Sequence, residues 1–390
     1  MSLRSLFDRI ATSRVATVAP RPWMAVLLIG TAFAVAHGSR VEKNLPRRHW
    51  EDGRYFHHNR EQIHSLADCF TKPSAWPGGD EASYRPISGN LYYFAGRTFF
   101  ADKLAVYHAI DAGVYVLNGV LLFLVCRQLL PGVFSLIPPV LFVTRLAHGQ
   151  VVTYTSEFAA LSYVTFGLIG LALFVGARGG ESSSRGVGAA VALAIALLCK
   201  EAAVAWPAVL TAYGWLFDRA TAWRKYATVW VVTIAWALVH PFVIRSLYAA
   251  DAPTFAFDLQ PVHVLARYAA YLLCFMNVLV PRIDPESAGW SMPPRVVALS
   301  STVPAVLVVA SLLILEAAAV VYARFRPGSM KASARVAVFG FAWFLAATAP
   351  FVVLADRLFM RYSYLGHAGL AVTAGGIAAA VLNVPDAPRS

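Results

Sequence analysis

Apolar positions in this chain gather into long unbroken runs, not into the alternating or 3.6-residue patterns of a soluble core. Runs at residues 22–38, 104–126, 131–147, 157–177, 186–200, 201–217, 226–246, 262–281, 296–323, 335–355 and 362–383 approach or reach the ~20 residues needed to cross a bilayer. They predict an all-α, polytopic membrane helical bundle of ten or eleven spans, forming one domain over residues 1–390. The polar exception comes early. Residues 39–103 form one long loop between the first two runs, containing His49-Trp50-Glu51-Asp52-Gly53 and Tyr84-Arg85-Pro86.

Short basic connections at Arg127, Arg178 to Arg185, Arg219 to Lys225 and Arg324 to Arg335 fall on the cytoplasmic side by the positive-inside bias. That sidedness needs an even number of crossings between Lys225 and Arg324, where three apolar runs stand. The run at 262–281 carries Arg267, Tyr268, Tyr271 and Asn277 between Pro261 and Pro281, and is expected to be re-entrant or interfacial. The remaining polar segments then share the extracytoplasmic face. They are the 39–103 loop, the His148–Glu157 connection, the Lys200-Glu201 hairpin, the Arg245–Arg295 region and the Asp356–Tyr364 connection.

Composition fits this picture, with 58% hydrophobic and 14% charged residues. A formal charge of +12 matches basic residues beside spans and anionic headgroups, and is read as contact with membrane lipids and not with nucleic acid. Arg4, Arg9, Arg14 and Arg21 form a basic leader with no clear cleavage site, which predicts an uncleaved anchor. Cys126, Cys199 and Cys274 lie in apolar runs and Cys69 in the loop, giving neither a disulfide framework nor zinc spacing. The absence of a dinucleotide fingerprint, phosphate-binding P-loop or Gly-x-Ser-x-Gly elbow argues against ATP hydrolysis and serine-hydrolase chemistry.

Candidate chemistry sits in the polar segments. Glu51-Asp52 could take a proton from an attacking hydroxyl, or simply solvate the loop. Arg85, biased towards an extended backbone by Pro86, presents a fork that suits phosphate oxygens or snorkels to the headgroups. Lys200-Glu201 is either a turn marker or a lysine aimed at a lipid phosphate and oriented by its neighbour. Asp356-Arg357 and Arg361-Tyr362-Ser363-Tyr364 fit an aromatic belt as well as a phosphate clamp. In a helix His57, Glu61 and His64 would share a face, suiting a divalent cation or a polar interfacial surface. No cofactor is otherwise implied.

Taken in order, these motifs resemble the polytopic glycosyltransferases of the GT-C superfamily, especially the protein O-mannosyltransferase-like branch with TPR-tailed transmembrane members. The resemblance rests on Glu51-Asp52, Tyr84-Arg85-Pro86-Ile87, His108 with Asn118, and the segment from His148 to Ser156, where Gln150 stands in place of the family's glutamate. It continues with Leu198-Cys199-Lys200-Glu201, the stretch from Tyr268 to Pro281, and Met360-Arg361-Tyr362-Ser363-Tyr364-Leu365, where Met360 replaces an acid. It implies an inverting transfer from a polyprenyl-phosphate-linked sugar to a hydroxyl of a glycan, lipid or protein. Asp52 or Glu51 would be the base, and Arg85, Lys200 and Arg361 would hold the donor phosphate. His148, Tyr362, Glu201 and Tyr84 would shape the substrate site. The Ala/Arg-rich composition, and no TPR tail before Ser390, lean towards a bacterial inner membrane. Two rivals are a lipid or solute transporter, which would favour symmetry between halves, and an assembly protein that kept the fold without catalysis.

Overall fold

A computed structural model describes residues 20–44, 50–74, 84–101, 103–176, 183–217, 222–240, 257–276, 294–325, 330–354 and 359–382. The first helices are α1 (Pro22–Asn44), α2 (Trp50–Gln62), α3 (Leu66–Thr71), α4 (Tyr92–Phe100) and α5 (Leu104–Leu129). Next come α6 (Ile137–Val143), α7 (Gly149–Thr153), α8 (Phe158–Gly176), α9 (Ser183–Cys199), α10 (Trp206–Phe217) and α11 (Ala222–Val239). The last are α12 (Pro261–Phe275), α13 (Pro294–Ser300), α14 (Val303–Phe325), α15 (Ala332–Val352) and α16 (Tyr364–Val381). Among the described residues no β-strand forms, and Phe257 and Leu354 make one isolated antiparallel bridge.

Six helical segments among the described residues are long and apolar enough to cross a membrane, which marks an integral membrane protein. They are Pro22–Lys43, Leu104–Leu129, Thr155–Gly176, Val303–Tyr322, Ala332–Val352 and Met360–Val381. A seventh is added if Gly132–Val143 and Leu146–Thr153, bent by 49°, count as one broken span. This is fewer than the ten or eleven that the apolar runs predict, because several runs do not make one long helix. The 131–147 run breaks at Thr144-Arg145, and the 201–217 run begins with a 3-10 turn over Glu201–Ala205. The apolar helices Arg185–Cys199, Tyr226–Val239 and Pro261–Phe275 are shorter than a full span.

The described part of the 262–281 run forms α12, about 22 Å long at 1.5 Å per residue. Hydrogen bonds tie it to α15 and to the break at Arg145. Arg267 donates to Val352 O at 2.9 Å, Tyr268 donates to Leu345 O at 3.1 Å, and Arg145 donates to Phe275 O at 2.5 Å. Residues 277–281 lie outside the described residues, as do Asp356, Arg357, and 241–256 and 277–293 of the Arg245–Arg295 region.

One apolar core joins most of the helices, and α8, hydrophobic on every side, is buried along most of its length. By contrast α14 and α1 expose most of theirs, as lipid-facing helices do. The tightest seam is between α15 and α16. A Cβ built on Gly340 would lie 2.4 Å from Thr373 N and 2.6 Å from Gly369 O, and one on Gly376 would lie 2.5 Å from Ala337 N. Small residues are what let two membrane helices touch backbone to backbone. Gly340→Leu is therefore expected to lower stability by at least about 1–3 kcal/mol through overpacking. Thermal unfolding in detergent checks this, and an unchanged melting temperature would refute it.

Candidate active site

The segment around Arg85 is fixed locally before it reaches anything distant. Arg85 is non-helical, as the following proline requires, and Pro86–Leu91 then forms a π-helical turn, a device frequent at functional sites. The Arg85 N–H donates to Ser74 Oγ at 3.0 Å, and a side chain at Gly89 would meet Ser74 Cβ at 2.8 Å, so the chain passes there only as glycine. Asn90 donates to Cys69 O and Lys72 O, Asn59 donates to Asn90 O, and Arg97 donates to Asn59 O and Ile63 O. The Ser88 hydroxyl donates to Cys199 O, which docks the turn against the Lys200-Glu201 hairpin.

That docking brings Arg85 to Glu201. Arg85 Nε lies 3.2 and 3.1 Å from the two Glu201 oxygens, and Nη2 donates to Oε2 at 2.9 Å. Burial works to strip the proton from Arg85, and Glu201, with Tyr55 and Glu157 adding to it, outweighs burial and holds the guanidinium above its ordinary value. Beside this pair lies a second. Glu157 accepts from Arg361 Nη1 at 2.6 Å through Oε1 and from Lys200 Nζ at 3.4 Å through Oε2. All four groups of these latter contacts and Arg85 are buried or nearly so. The local chain explains the convergence. Glu157, Glu201 and Arg361 each sit in a 3-10 turn that leads directly into a helix, α8, α10 and α16, so three helix N-termini with their positive dipole ends face this region.

Asp52 joins the same end of the bundle. It stands in the first turn of α2, is fully buried, and its Oδ1 accepts the Ser156 N–H at 2.8 Å, one residue before Glu157. One turn further along α2, the Tyr55 hydroxyl accepts from Arg85 Nη1 at 3.2 Å and its ring stacks on Tyr93 at 5.4 Å. Burial, with the Asp52 charge adding to it, pushes the Tyr93 phenol well above its usual value, so it stays protonated. The backbone of Glu51 belongs to α2, and its side chain lies outside the described residues.

The structure thus brings together Asp52, Arg85, Lys200, Glu201 and Arg361 from the sequence-derived set. It does not bring in His148. That side chain is fully buried in a chain of hydrogen bonds, with Nδ1 2.8 Å from Tyr115 Oη and Nε2 3.0 Å from His367 Nδ1, while His367 Nε2 lies 3.1 Å from Tyr271 O. With one proton per ring the directions follow: His367 donates to the carbonyl, His148 donates to His367, and Tyr115 donates to His148. This network joins α5, α12 and α16 and occupies both ring nitrogens of His148 within the protein. Tyr84 is occupied elsewhere too, its hydroxyl donating to Phe70 O at 2.8 Å and its carbonyl 3.2 Å from His240 Nε2. Tyr362 stacks on Phe351 at 4.3 Å, beside Arg361.

The His57, Glu61 and His64 face is not formed as one surface, because α2 ends at Gln62 before His64 is reached. His57 and Glu61 pair at 3.2 Å on the exposed side, and no group of three His, Cys, Asp or Glu among the described residues could hold a metal ion. Two acids that the motifs did not single out are part of the site region. Glu157 supplies a carboxylate to both Arg361 and Lys200, and its signal was a charge placed at the mouth of an apolar run. Asp111 lies fully buried inside α5, where Oδ1 accepts from Tyr92 at 2.7 Å and Oδ2 has no hydrogen-bond partner among the described residues.

Compared with protein-family models, with curated proteins and with solved structures, the chain gives no match in any of the three.

Proposed function

We propose that the chain is an integral-membrane glycosyltransferase of the GT-C type, which moves a sugar from a polyprenyl-phosphate donor to an acceptor hydroxyl with inversion. The observation that carries this reading is the meeting of Asp52 with Arg85, Lys200 and Arg361, four groups from separate segments, at one end of an apolar bundle. By the short-loop charge bias that end lies on the extracytoplasmic face, and the Ala/Arg-rich composition favours a bacterial inner membrane.

In this mechanism the acceptor oxygen attacks the anomeric carbon from the side opposite the phosphate. Its proton passes to Asp52, whose orientation the Ser156 N–H fixes. The bond from the anomeric carbon to the phosphate oxygen breaks as the new one forms, and polyprenyl phosphate leaves with the electron pair. Negative charge growing on that phosphate would be met by Arg85, Lys200, Arg361 and the N-termini of α8, α10 and α16, in a place where little water screens them. Asp52 is fully buried, so substrate access requires movement of the chain around it.

Purified protein supplied with polyprenyl-phosphate sugars and a panel of hydroxyl acceptors tests the proposal. Acceptor-dependent release of polyprenyl phosphate is the expected result. Binding without release would replace it with a non-catalytic assembly role, and passage of the intact lipid across liposomes would replace it with transport.

A further inference from the structure

The three cations assigned to the donor phosphate already have carboxylate partners, so a phosphate cannot simply dock beside them. Arg85 is held by Glu201 through three short contacts, whereas Lys200 and Arg361 share the single carboxylate of Glu157. We propose that Glu157 is an exchangeable counter-ion: the donor phosphate displaces it from Lys200 and Arg361, and its return expels the polyprenyl phosphate product. This inference rests on the proposed transfer reaction and assigns Glu157 a positioning role in product release.

Two features favour Glu157 over Glu201 for this exchange. Glu157 divides its carboxylate between two cations, 2.6 Å from Arg361 Nη1 and a longer 3.4 Å from Lys200 Nζ, while both Glu201 oxygens are held by the Nε and Nη2 edge of one guanidinium. Charge supplies the second. Lys200, Arg361 and Glu157 together carry one net positive charge, which suits a singly charged phosphodiester. When the sugar leaves, the phosphate becomes a monoester whose added negative charge holds it more tightly to the two cations, so its release calls for a competing anion, which the returning Glu157 carboxylate supplies. The exchange is also coupled to the base. Ser156, next in the chain to Glu157, holds Asp52 through its N–H, so movement of this turn on phosphate binding resets the carboxylate that receives the proton.

The test uses the full-length protein in lipid nanodiscs and reads polyprenyl phosphate binding without turnover. Glu157→Gln keeps the side-chain shape and removes the competing charge, so the dissociation constant is expected to fall by about tenfold or more. Under turnover kcat and KM are expected to fall together, because release becomes slow. A folded Glu157→Gln protein that binds the lipid equally or more weakly would overturn the proposal, since a purely structural counter-ion predicts that result. If the variant does not fold, wild-type protein is labelled with a hydrophobic carbodiimide and read by mass spectrometry. Labelling at Glu157 is expected to rise several-fold when polyprenyl phosphate is added, and no rise would overturn the exchange. Wild-type protein that binds the lipid and transfers no sugar would count against the transferase alone.

Discussion

Asp52→Asn is expected to cut sugar transfer by about 10²–10⁴-fold, the usual contribution of a positioned general base. The protein should still insert, fold and bind the lipid donor. Asparagine has nearly the shape of aspartate, and its amide oxygen can accept the Ser156 N–H that Asp52 Oδ1 accepts at 2.8 Å. Arg85, Lys200 and Arg361 are untouched by the change, so donor affinity should stay near that of the wild type. The pattern is therefore a loss in kcat with little change in donor binding, measured by release of polyprenyl phosphate and by equilibrium binding of the donor. Glu51→Gln is the paired control. Full turnover by Asp52→Asn with an inactive Glu51→Gln would move the base one residue back, and activity in both variants would end the carboxylate mechanism.

Much of this arrangement is legible in the sequence because apolar runs and their polar interruptions are local signals. The helical class and the gathering of four polar segments at one end follow from where charges break the hydrophobic pattern. Other features depend on partners far along the chain. Glu157 meets Lys200 across 43 positions and Arg361 across 204, and no local pattern announces either pair. The Met360 substitution reads as a lost acid only while neighbours in sequence are considered, since Glu157 supplies a carboxylate to Arg361 from another segment. His148 shows the reverse. Its place in a motif suggested a ligand contact, and the tertiary structure turns the ring inward to His367 and Tyr115. Helix continuity is likewise not a local signal: hydropathy averages over a break such as Thr144-Arg145, and backbone geometry does not.

Single removal of either Arg85 or Glu201 is expected to destabilise the protein by about 3–5 kcal/mol, because each leaves a buried charge without its partner. The Arg85 side chain is 9% exposed and that of Glu201 27%, so water can relieve the glutamate somewhat more readily than the arginine. Glu201→Leu, which strands the guanidinium, should accordingly cost more than Arg85→Met. Joining the two substitutions removes both charges at once, and a buried ion pair replaced by apolar groups of similar size is often close to neutral. The double variant should then recover much of the lost stability, giving a coupling energy well above the few tenths of a kcal/mol seen for independent sites. Unfolding of all four proteins in the same detergent measures the cycle, and strictly additive losses would mean that the pair contributes nothing as a pair. Activity separates the structural part of the role from the chemical part. If Arg85 also stabilises the leaving phosphate, the refolded double variant remains poor at transfer. Recovery of transfer along with stability would reduce Arg85 to a staple between the 84–91 turn and the hairpin after α9, leaving Lys200 and Arg361 to carry the phosphate.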